Sequence, residues 1–209
     1  MIASDSARVL FVHVQKTGGQ SIEHLLRELP DARKVTGLPG AKHATYRAAV
    51  QAHPDLADYW SFGFVRNPWA RMWSWWSMIG RRDEAAEAGN TWVATRIERN
   101  AFWSGVLEHC PDFESFVTDG PDRFSRLRRP QLDYLRADGR RVDFIGRTES
   151  LDQDVQVVCE RLGVPAVVPQ RNAARGPQTS WREQYTPAMR QRVADLFAVD
   201  LQAFGYDFD

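Results

Sequence analysis

Residues 8–21, RVLFVHVQKTGGQS, contain the clearest indication of how this chain folds. Its first half, residues 8–14, is a short and nearly continuous apolar run rich in β-branched residues, which is typical of a buried parallel strand. The pair Gly18-Gly19 then marks a turn, and apolar residues recur at helical spacing from Ile22 to Leu29. The stretch therefore predicts a strand, a glycine turn and a helix in immediate succession.

A second strand and helix follow about fifty residues later. Residues 60–65 (WSFGFV) form another apolar run, before which Thr45 is the expected N-cap of a short helix. After the run, Asn67 is a natural N-cap and Pro68 a natural first residue of a helix, which we expect to end at about Ile79.

A third strand is predicted over residues 142–146, followed by a helix over 150–162 that Gly163 closes. Strands that alternate with helices predict an α/β fold in which a parallel β-sheet is flanked by helices in three layers. Ligands of such sheets bind beyond the carboxyl ends of the strands. We therefore expect the segments that follow the three strands to surround one site: residues 15–21, 66–74 and 147–149.

The composition is that of an ordinary globular domain. Among 209 residues, 27 lysines and arginines balance 27 aspartates and glutamates, so charge gives no argument for nucleic-acid or membrane-surface binding. No run approaches the ~18 apolar residues that a membrane span needs. The two cysteines, Cys110 and Cys159, lack the spacing of a zinc site or a disulfide framework. We expect one cytoplasmic domain over residues 1–209, with no nucleic-acid, membrane or metal partner.

Residues 16–21 are suited to binding an anion. Gly18 and Gly19 let the backbone approach a ligand closely, and the helix that follows points its positive end at the turn. Lys16 adds a mobile charge, and Ser21 adds a hydroxyl in the first helical turn. In the nucleotide-triphosphatase loop the lysine follows the last glycine, so this is not that loop. The alternative is a glycine turn that caps a helix and carries a surface lysine.

The segment FVRNPWARMWS, residues 64–74, supplies a second candidate anion site. Arg66 leaves the strand, and Ser74 lies on the following helix at a position that shares a stripe with Asn67. An arginine fork together with a hydroxyl suits a phosphate group. The alternative is a strand–helix corner in which Arg66 makes a salt bridge.

The helix after Asn67 is rich in aromatic residues. Five of its residues recur at helical spacing and are expected to face a core: Trp69, Met72, Trp73, Trp76 and Ile79. Trp75 lies off that stripe, and we expect it to border the pocket.

These two motifs resemble those of sulfotransferases that use 3′-phosphoadenosine 5′-phosphosulfate (PAPS), in particular the carbohydrate-type and bacterial enzymes. HVQKTGGQSI, residues 13–22, is similar to the family's 5′-phosphosulfate loop, and residues 64–74 are similar to its 3′-phosphate motif. The resemblance implies a sulfotransferase fold of the P-loop nucleotide-binding type, PAPS as donor, PAP as product and no metal. Gln15 replaces a common proline and Gln20 a common threonine, which leaves the backbone cradle but removes one hydroxyl contact.

The resemblance also implies roles for individual residues. Lys16 neutralises charge on the bridging oxygen of the donor. The residues expected to bind the donor are Lys16, Thr17, Gly18, Gly19, Gln20, Ser21, Arg66, Ser74, Arg171 and Arg175. The last two lie in the segment that closes over the nucleotide in relatives. Arg147, in a segment similar to the family's Gly-Arg-x-Glu-x-Leu pattern, either approaches the donor or acceptor or makes an ion pair.

An acceptor hydroxyl must lose its proton as it attacks sulfur, so a base is needed. His43 lies in a loop between the two motifs, and relatives of the 2-O type carry a histidine base in this interval. Histidine also has the pKa best matched to that task near neutrality. Glu23 is the alternative base because it follows the loop directly. His13 is expected to be a hydrogen-bonded scaffold residue.

We therefore expect a sulfotransferase that moves a sulfuryl group from PAPS to an acceptor hydroxyl of sugar or natural-product type, by in-line displacement. The partner is a small-molecule or carbohydrate acceptor, and residues 80–130 are the expected insertion that forms its pocket. Two alternatives stay open: a P-loop small-molecule kinase, and a nucleotide-binding domain that has lost catalysis. A kinase would need a GK[ST] loop and a metal-binding acidic residue at a strand end, and the sequence offers neither.

Overall fold

The computed structural model describes residues 1–165 and 180–209. Within these residues the strands are β1 Ile2–Ser4, β2 Val9–Val12, β3 Arg33–Lys34, β4 Trp60–Val65, β5 Arg136–Ala137, β6 Arg140–Arg141 and β7 Phe144–Arg147. The α-helices are α1 Gly19–Leu26, α2 Tyr46–Ala52, α3 Pro68–Glu87, α4 Thr91–Glu98, α5 Ala101–His109, α6 Phe113–Thr118, α7 Gly120–Arg123, α8 Ser125–Arg128, α9 Leu132–Leu135, α10 Leu151–Leu162, α11 Pro187–Leu196 and α12 Ala198–Phe204. Short 3₁₀ turns lie at Ala41–His43, Pro54–Asp58 and Trp181–Gln184. Of the helices in these two ranges, none is both long enough and apolar enough to cross a membrane.

The main sheet has the strand order β3-β1-β2-β4-β7. Strands β2, β4 and β7 are parallel, with Phe11 opposite Phe62 and Phe64 opposite Gly146. These are the three strands that the sequence predicts. Asp143, just before β7, accepts hydrogen bonds from the backbone N–H and the hydroxyl of Ser61 at 2.7 and 2.8 Å, which ties the amino ends of β4 and β7 together. The mixed α/β fold, with a central sheet flanked by helices, is confirmed.

The expectation of a parallel sheet is wrong at one edge. Strand β1 pairs antiparallel with both β2 and β3. Only residues 5–8 join β1 to β2, and a parallel crossover needs about a dozen residues or more. The turn closes through a hydrogen bond from the Arg8 N–H to the Asp5 carbonyl at 3.3 Å, and Arg8 has a φ of 46°. Such a short connection can join two strands only in the antiparallel arrangement.

Three helix boundaries lie where the sequence predicts them. The Thr45 hydroxyl accepts the N–H of Ala48 at 3.1 Å, and the Asn67 side chain accepts the N–H of Trp69 at 3.1 Å. Gly163 ends α10 with a φ of 66°. In each case a side-chain oxygen or a left-handed glycine satisfies backbone groups that the helix leaves without a partner.

Two helices differ from the prediction in length. Helix α3 continues beyond Ile79 to Glu87. Its second half is rich in arginine, glutamate and alanine, which favour a helix, but it shows no apolar period from which the helix could be predicted. For the last helix, the sequence predicts one continuous element from Thr186-Pro187 to about Phe204. The structure interrupts it at Phe197, which has a φ of −116° and is buried. The interruption separates α11 from α12.

The described residues divide into two compact units. The first contains residues 1–66 and 131–165, and the second contains residues 67–130 and 180–209. In the first unit, helices α1 and α10 pack on the sheet around buried residues that include Phe11, Ile22, Leu26, Phe62, Phe64, Val155 and Val158. That residues 1–209 act as one catalytic domain stays a prediction.

The core of the second unit gathers around helix α3. Its buried residues include Trp69, Met72, Trp75, Ile79, Val106, Phe116, Val117, Met189, Val193 and Phe197. The expectation that Trp75 borders a pocket is wrong, since Trp75 is 5% exposed and packs edge-on against Phe102 with ring centroids 5.2 Å apart. Trp75 lies three residues after Met72 and four before Ile79, so it shares their buried stripe, whereas Trp73 is only half-buried.

Replacing Gly146 with alanine tests the packing of the parallel strands. A Cβ on Gly146 would overlap the buried ring of Phe64 on the adjacent strand β4. We expect Gly146→Ala to lower the free energy of unfolding by about 1–3 kcal/mol, because the ring must leave its position. The measurement is the urea midpoint of unfolding.

The control is Gly80→Ala on helix α3, where nothing lies within 4 Å of the added Cβ. That change should raise the free energy of unfolding by up to about 1 kcal/mol, because alanine is the better helix former. Equal midpoints for the two variants would contradict the packing described.

Candidate active site

The glycine turn of the sequence motif joins β2 to helix α1. Lys16 has a φ of 70° and Gly18 a φ of 76°, so a lysine and a glycine both adopt the left-handed conformation here. A left-handed non-glycine residue such as Lys16 is typical of functional loops. Tight turns that include left-handed residues direct backbone N–H groups towards one concave side. The Thr17 hydroxyl is buried and donates to the Val14 carbonyl at 3.0 Å, so this side chain is engaged within the loop. The first turn of α1 closes through a hydrogen bond from the Ser21 N–H to the Gly18 carbonyl at 3.0 Å.

Packing requires a glycine at position 19, which the sequence alone does not reveal. A Cβ on Gly19 would overlap the imidazole ring of His13, which lies just beyond the end of β2. Gly18, by contrast, is exposed and would place a Cβ 3.3 Å from Leu151 on helix α10. Gly19 therefore allows a buried histidine to lie directly against the first residue of helix α1.

The ring of His13 is held by Glu23. His13 is 3% exposed, and its Nδ1 lies 2.7 Å from Oε1 of Glu23, one turn into helix α1. The ring also stacks on Phe11 at a centroid distance of 5.4 Å. The expectation that His13 is a hydrogen-bonded scaffold residue is consistent with these contacts.

His43 lies beside His13. Its Nδ1 is 3.0 Å from the His13 carbonyl oxygen, and the two imidazole rings meet edge-on with centroids 4.5 Å apart. The structure thus brings both candidate bases, His43 and Glu23, to the same histidine. Although two histidines and a glutamate meet here, residues 1–165 and 180–209 contain no group of three such side chains that could hold a metal ion.

The protonation of this cluster follows from its burial. Burial, and then repulsion from His13 and Lys42, lowers the pKa of His43 to about 3. The hydrogen bond from His13 lowers the pKa of Glu23 to about 2, against the opposing effect of burial. Burial also lowers the pKa of His13. At neutral pH the cluster therefore contains an ionised Glu23 and neutral imidazoles.

Arg66 is positioned by a residue that sequence reasoning missed. The side-chain amide of Gln131, which is fully buried, accepts the N–H of Arg66 at 2.9 Å and donates to the Arg66 carbonyl at 2.8 Å. This pair of hydrogen bonds replaces the neighbouring strand that β4 lacks beyond Val65. Sequence offers no signal for it, because a glutamine in a loop has many possible partners.

The Arg66 guanidinium reaches the glycine turn formed by residues 16–21. Its Nη1 donates to the carbonyl oxygen of Lys16 at 3.5 Å. The segments that follow β2 and β4 therefore meet, as the prediction of one site at the strand ends requires. Arg66 is half-buried, which favours its interaction with an anion over that of a fully solvated arginine.

The third strand end joins the same region. Thr148 donates both its N–H and its hydroxyl to the carbonyl of Val65, at 2.8 and 3.0 Å. The N–H of Arg147 donates to Asp154 at 2.7 Å, while its side chain is exposed. Residues 16–21, Arg66 and residues 147–151 thus lie together at the carboxyl ends of β2, β4 and β7.

Other predicted donor-binding residues are placed differently. Ser74 is half-buried on helix α3, in the second compact unit, whereas Arg66 ends the first segment of the other unit. Their pairing around one phosphate stays a prediction. Arg171 and Arg175 lie outside the described residues.

The lowered pKa of His43 predicts a loss of stability in mild acid. Below pH 6.5 the unfolded chain binds a proton that the folded chain does not take up until about pH 3, so the free energy of unfolding falls across that window. This histidine alone contributes a slope of up to about 1 kcal/mol per pH unit. His43→Gln should therefore lose less stability than the wild type between pH 6.5 and pH 4.5, as measured by urea unfolding.

The matched control is His24→Gln, which removes a histidine from helix α1 and leaves the contact between His13 and His43 in place. It should follow the wild-type pH dependence. If His43→Gln and the wild type lost stability in parallel, the burial of a neutral His43 would be ruled out.

The chain matches a known protein family over almost its whole length. A family model described as "Sulfotransferase family" matches residues 1–207, which include the glycine turn, His43, Arg66 and the segment after β7. No match was found among curated proteins. Since the match extends over nearly the whole chain, this chain belongs to the sulfotransferase family.

Proposed function

We propose that this sulfotransferase takes its sulfuryl group from PAPS and transfers it to a hydroxyl of a small-molecule or carbohydrate acceptor. The observation that carries the proposal is the contact between the Arg66 guanidinium and the Lys16 carbonyl at 3.5 Å. The two segments that the sequence predicts to bind anions meet there, and PAPS carries anionic groups at both its 5′ and its 3′ positions.

The residues at the strand ends fit such a donor. The left-handed backbone at Lys16 and Gly18 and the N-terminus of helix α1 would hold the 5′-phosphosulfate through N–H groups of residues 17–21. Arg66 would bind the 3′-phosphate with its planar fork, joined by Ser74. Arg171 and Arg175 are proposed to close over the nucleotide.

Lys16 and His43 are proposed to act on the transfer itself. A bond forms between the acceptor oxygen and sulfur while the bond from sulfur to the donor's bridging oxygen breaks, and that oxygen keeps the electron pair. Lys16 and the loop N–H groups stabilise the charge that develops there. The acceptor proton moves to Nε2 of His43, the ring nitrogen that does not face the His13 carbonyl.

Glu23 is less suited to be the base. Its Oε1 already accepts a hydrogen bond from His13 at 2.7 Å, and that bond lowers the carboxyl pKa to about 2. The pKa of His43 is lowered too, to about 3 instead of the near-neutral value expected from the sequence, so hydrogen bonding and not the pKa separates the two candidates. Glu23 is engaged with His13, whereas Nε2 of His43 does not face the His13 carbonyl. His43 is therefore the base that we propose.

Nucleotide binding tests the donor assignment. We expect PAP to raise the melting temperature more than AMP or ATP with Mg²⁺, because Arg66 has a role only for a nucleotide with a 3′-phosphate. Arg66→Ala should weaken PAP binding by about 2 kcal/mol, roughly thirtyfold, in a calorimetric titration.

The control for this titration is Arg141→Ala, an exposed arginine on strand β6, which should bind PAP as the wild type does. Equal stabilisation by ATP with Mg²⁺ would favour the kinase alternative. Unchanged PAP affinity in Arg66→Ala would remove Arg66 from the donor site.

Turnover measurements test the two catalytic residues. Lys16→Ala should reduce kcat more than it reduces PAP affinity, because its charge is needed most as the bridge breaks. His43→Ala should reduce kcat by roughly 10²–10⁴ with PAP affinity nearly intact. Because the pKa of His43 is about 3, kcat/KM should show no loss from His43 protonation between pH 5 and pH 8.

Lys34→Ala, at an exposed position on strand β3, is the control and should retain wild-type turnover. The rates come from released PAP across a panel of sugar and phenolic acceptors. A His43→Ala variant with near wild-type kcat would exclude His43 as the base, and the donor site would be unaffected.

A further inference from the structure

The residue that joins the glycine turn to His43 is His13, which the proposed reaction does not itself use. We propose that Glu23 and His13 are positioning residues: Glu23 holds the His13 ring, and His13 in turn holds His43 in the tautomer whose Nε2 accepts the acceptor proton. This inference rests on the proposed function, in which His43 is the base.

Glu23 orients the ring of His13. The carboxylate can only accept a hydrogen bond, so Nδ1 of His13 carries the proton that bridges the 2.7 Å to Oε1. The other carboxylate oxygen lies 3.7 Å from the Arg27 guanidinium. With Phe11 stacked on one side and Gly19 against its Nε2 edge, the His13 ring has one orientation.

His13 in turn orients the ring of His43. A carbonyl oxygen can only accept, so the 3.0 Å contact with the His13 carbonyl places the proton of neutral His43 on Nδ1. Its Nε2 then has the free electron pair that a general base needs. The edge-on contact of the two rings, with centroids 4.5 Å apart, limits rotation of His43 away from this position.

His13 also connects the proposed base to the glycine turn. Since Gly19 has no side chain, the His13 ring lies directly against the first residue of helix α1. Glu23 is on the same helix one turn later, so helix α1 contacts His13 at two points. A displaced His13 ring would therefore alter the support of His43 and the start of α1 together.

The experiment combines imidazole ¹⁵N NMR with kinetics on the full-length chain saturated with PAP. Long-range ¹⁵N–¹H spectra distinguish an Nδ1–H from an Nε2–H tautomer, and His43→Gln identifies the His43 signals among the five histidines. The variants are Glu23→Ala and Glu23→Gln. The control is Glu28→Ala, an exposed glutamate just beyond the same helix.

We expect wild-type His43 to be the Nδ1–H tautomer. Glu23→Ala should mix the two tautomers and reduce kcat by about ten- to a hundredfold, the usual effect of removing a residue that orients a functional histidine. PAP affinity should change less than about threefold, since no direct phosphate contact is lost. Glu23→Gln keeps an oxygen that accepts from His13 and should recover most of the rate, and Glu28→Ala should match the wild type in both measurements.

Three results would overturn the proposal: an Nε2–H tautomer in the wild type, a wild-type tautomer in Glu23→Ala whatever its rate, or a mixed tautomer with an unchanged kcat. If Glu23→Ala does not fold, the wild-type tautomer and the Glu23→Gln spectrum decide. Failure of the proposed function looks different, because the protein would then neither bind PAP nor turn over, while the tautomer of His43 could still be read.

Discussion

The hydrogen bond between the His13 ring and the Glu23 carboxylate joins the first parallel strand to the first helix, and the rest of the site depends on it. Burying a carboxylate without a hydrogen-bond partner costs free energy. The packing of the strand against the helix is therefore favourable only where His13 and Glu23 meet. Their meeting leaves no room for a side chain at Gly19. The His13 carbonyl in turn lies 3.0 Å from Nδ1 of His43, so His13 contacts both the start of helix α1 and the proposed base.

The ends of the parallel strands pose a second constraint. The peptide groups just beyond a strand have no neighbouring strand to pair with, yet a buried N–H or carbonyl must find a partner. Here Gln131 supplies an amide that pairs with both groups of Arg66, and Thr148 pairs with the carbonyl of Val65. These hydrogen bonds hold the end of β4, where the Arg66 guanidinium lies next to Lys16.

The sequence predicts the central part of the fold and misses its edge. Strand β4 has the predicted bounds, Trp60–Val65, because an unbroken apolar run ends at a helix cap, Asn67. Strands β1 and β3 were not predicted, since β1 is three residues long and β3 two, too short for a period to be read. The buried position of Trp75 was also missed, because a crowded run of tryptophans fits more than one helical stripe.

The succession of strand, glycine turn and helix, the helix caps and the resemblance to sulfotransferases can all be read from the amino-acid sequence. Those features are local, because hydrophobic period, capping and glycine conformation act over a few residues. The folded chain is needed to show that Glu23 pairs with His13, ten residues away, and that Gln131 pairs with Arg66, 65 residues away. The reason is that a polar side chain has many possible partners along a chain, and only the packing that buries it leaves one within hydrogen-bonding distance.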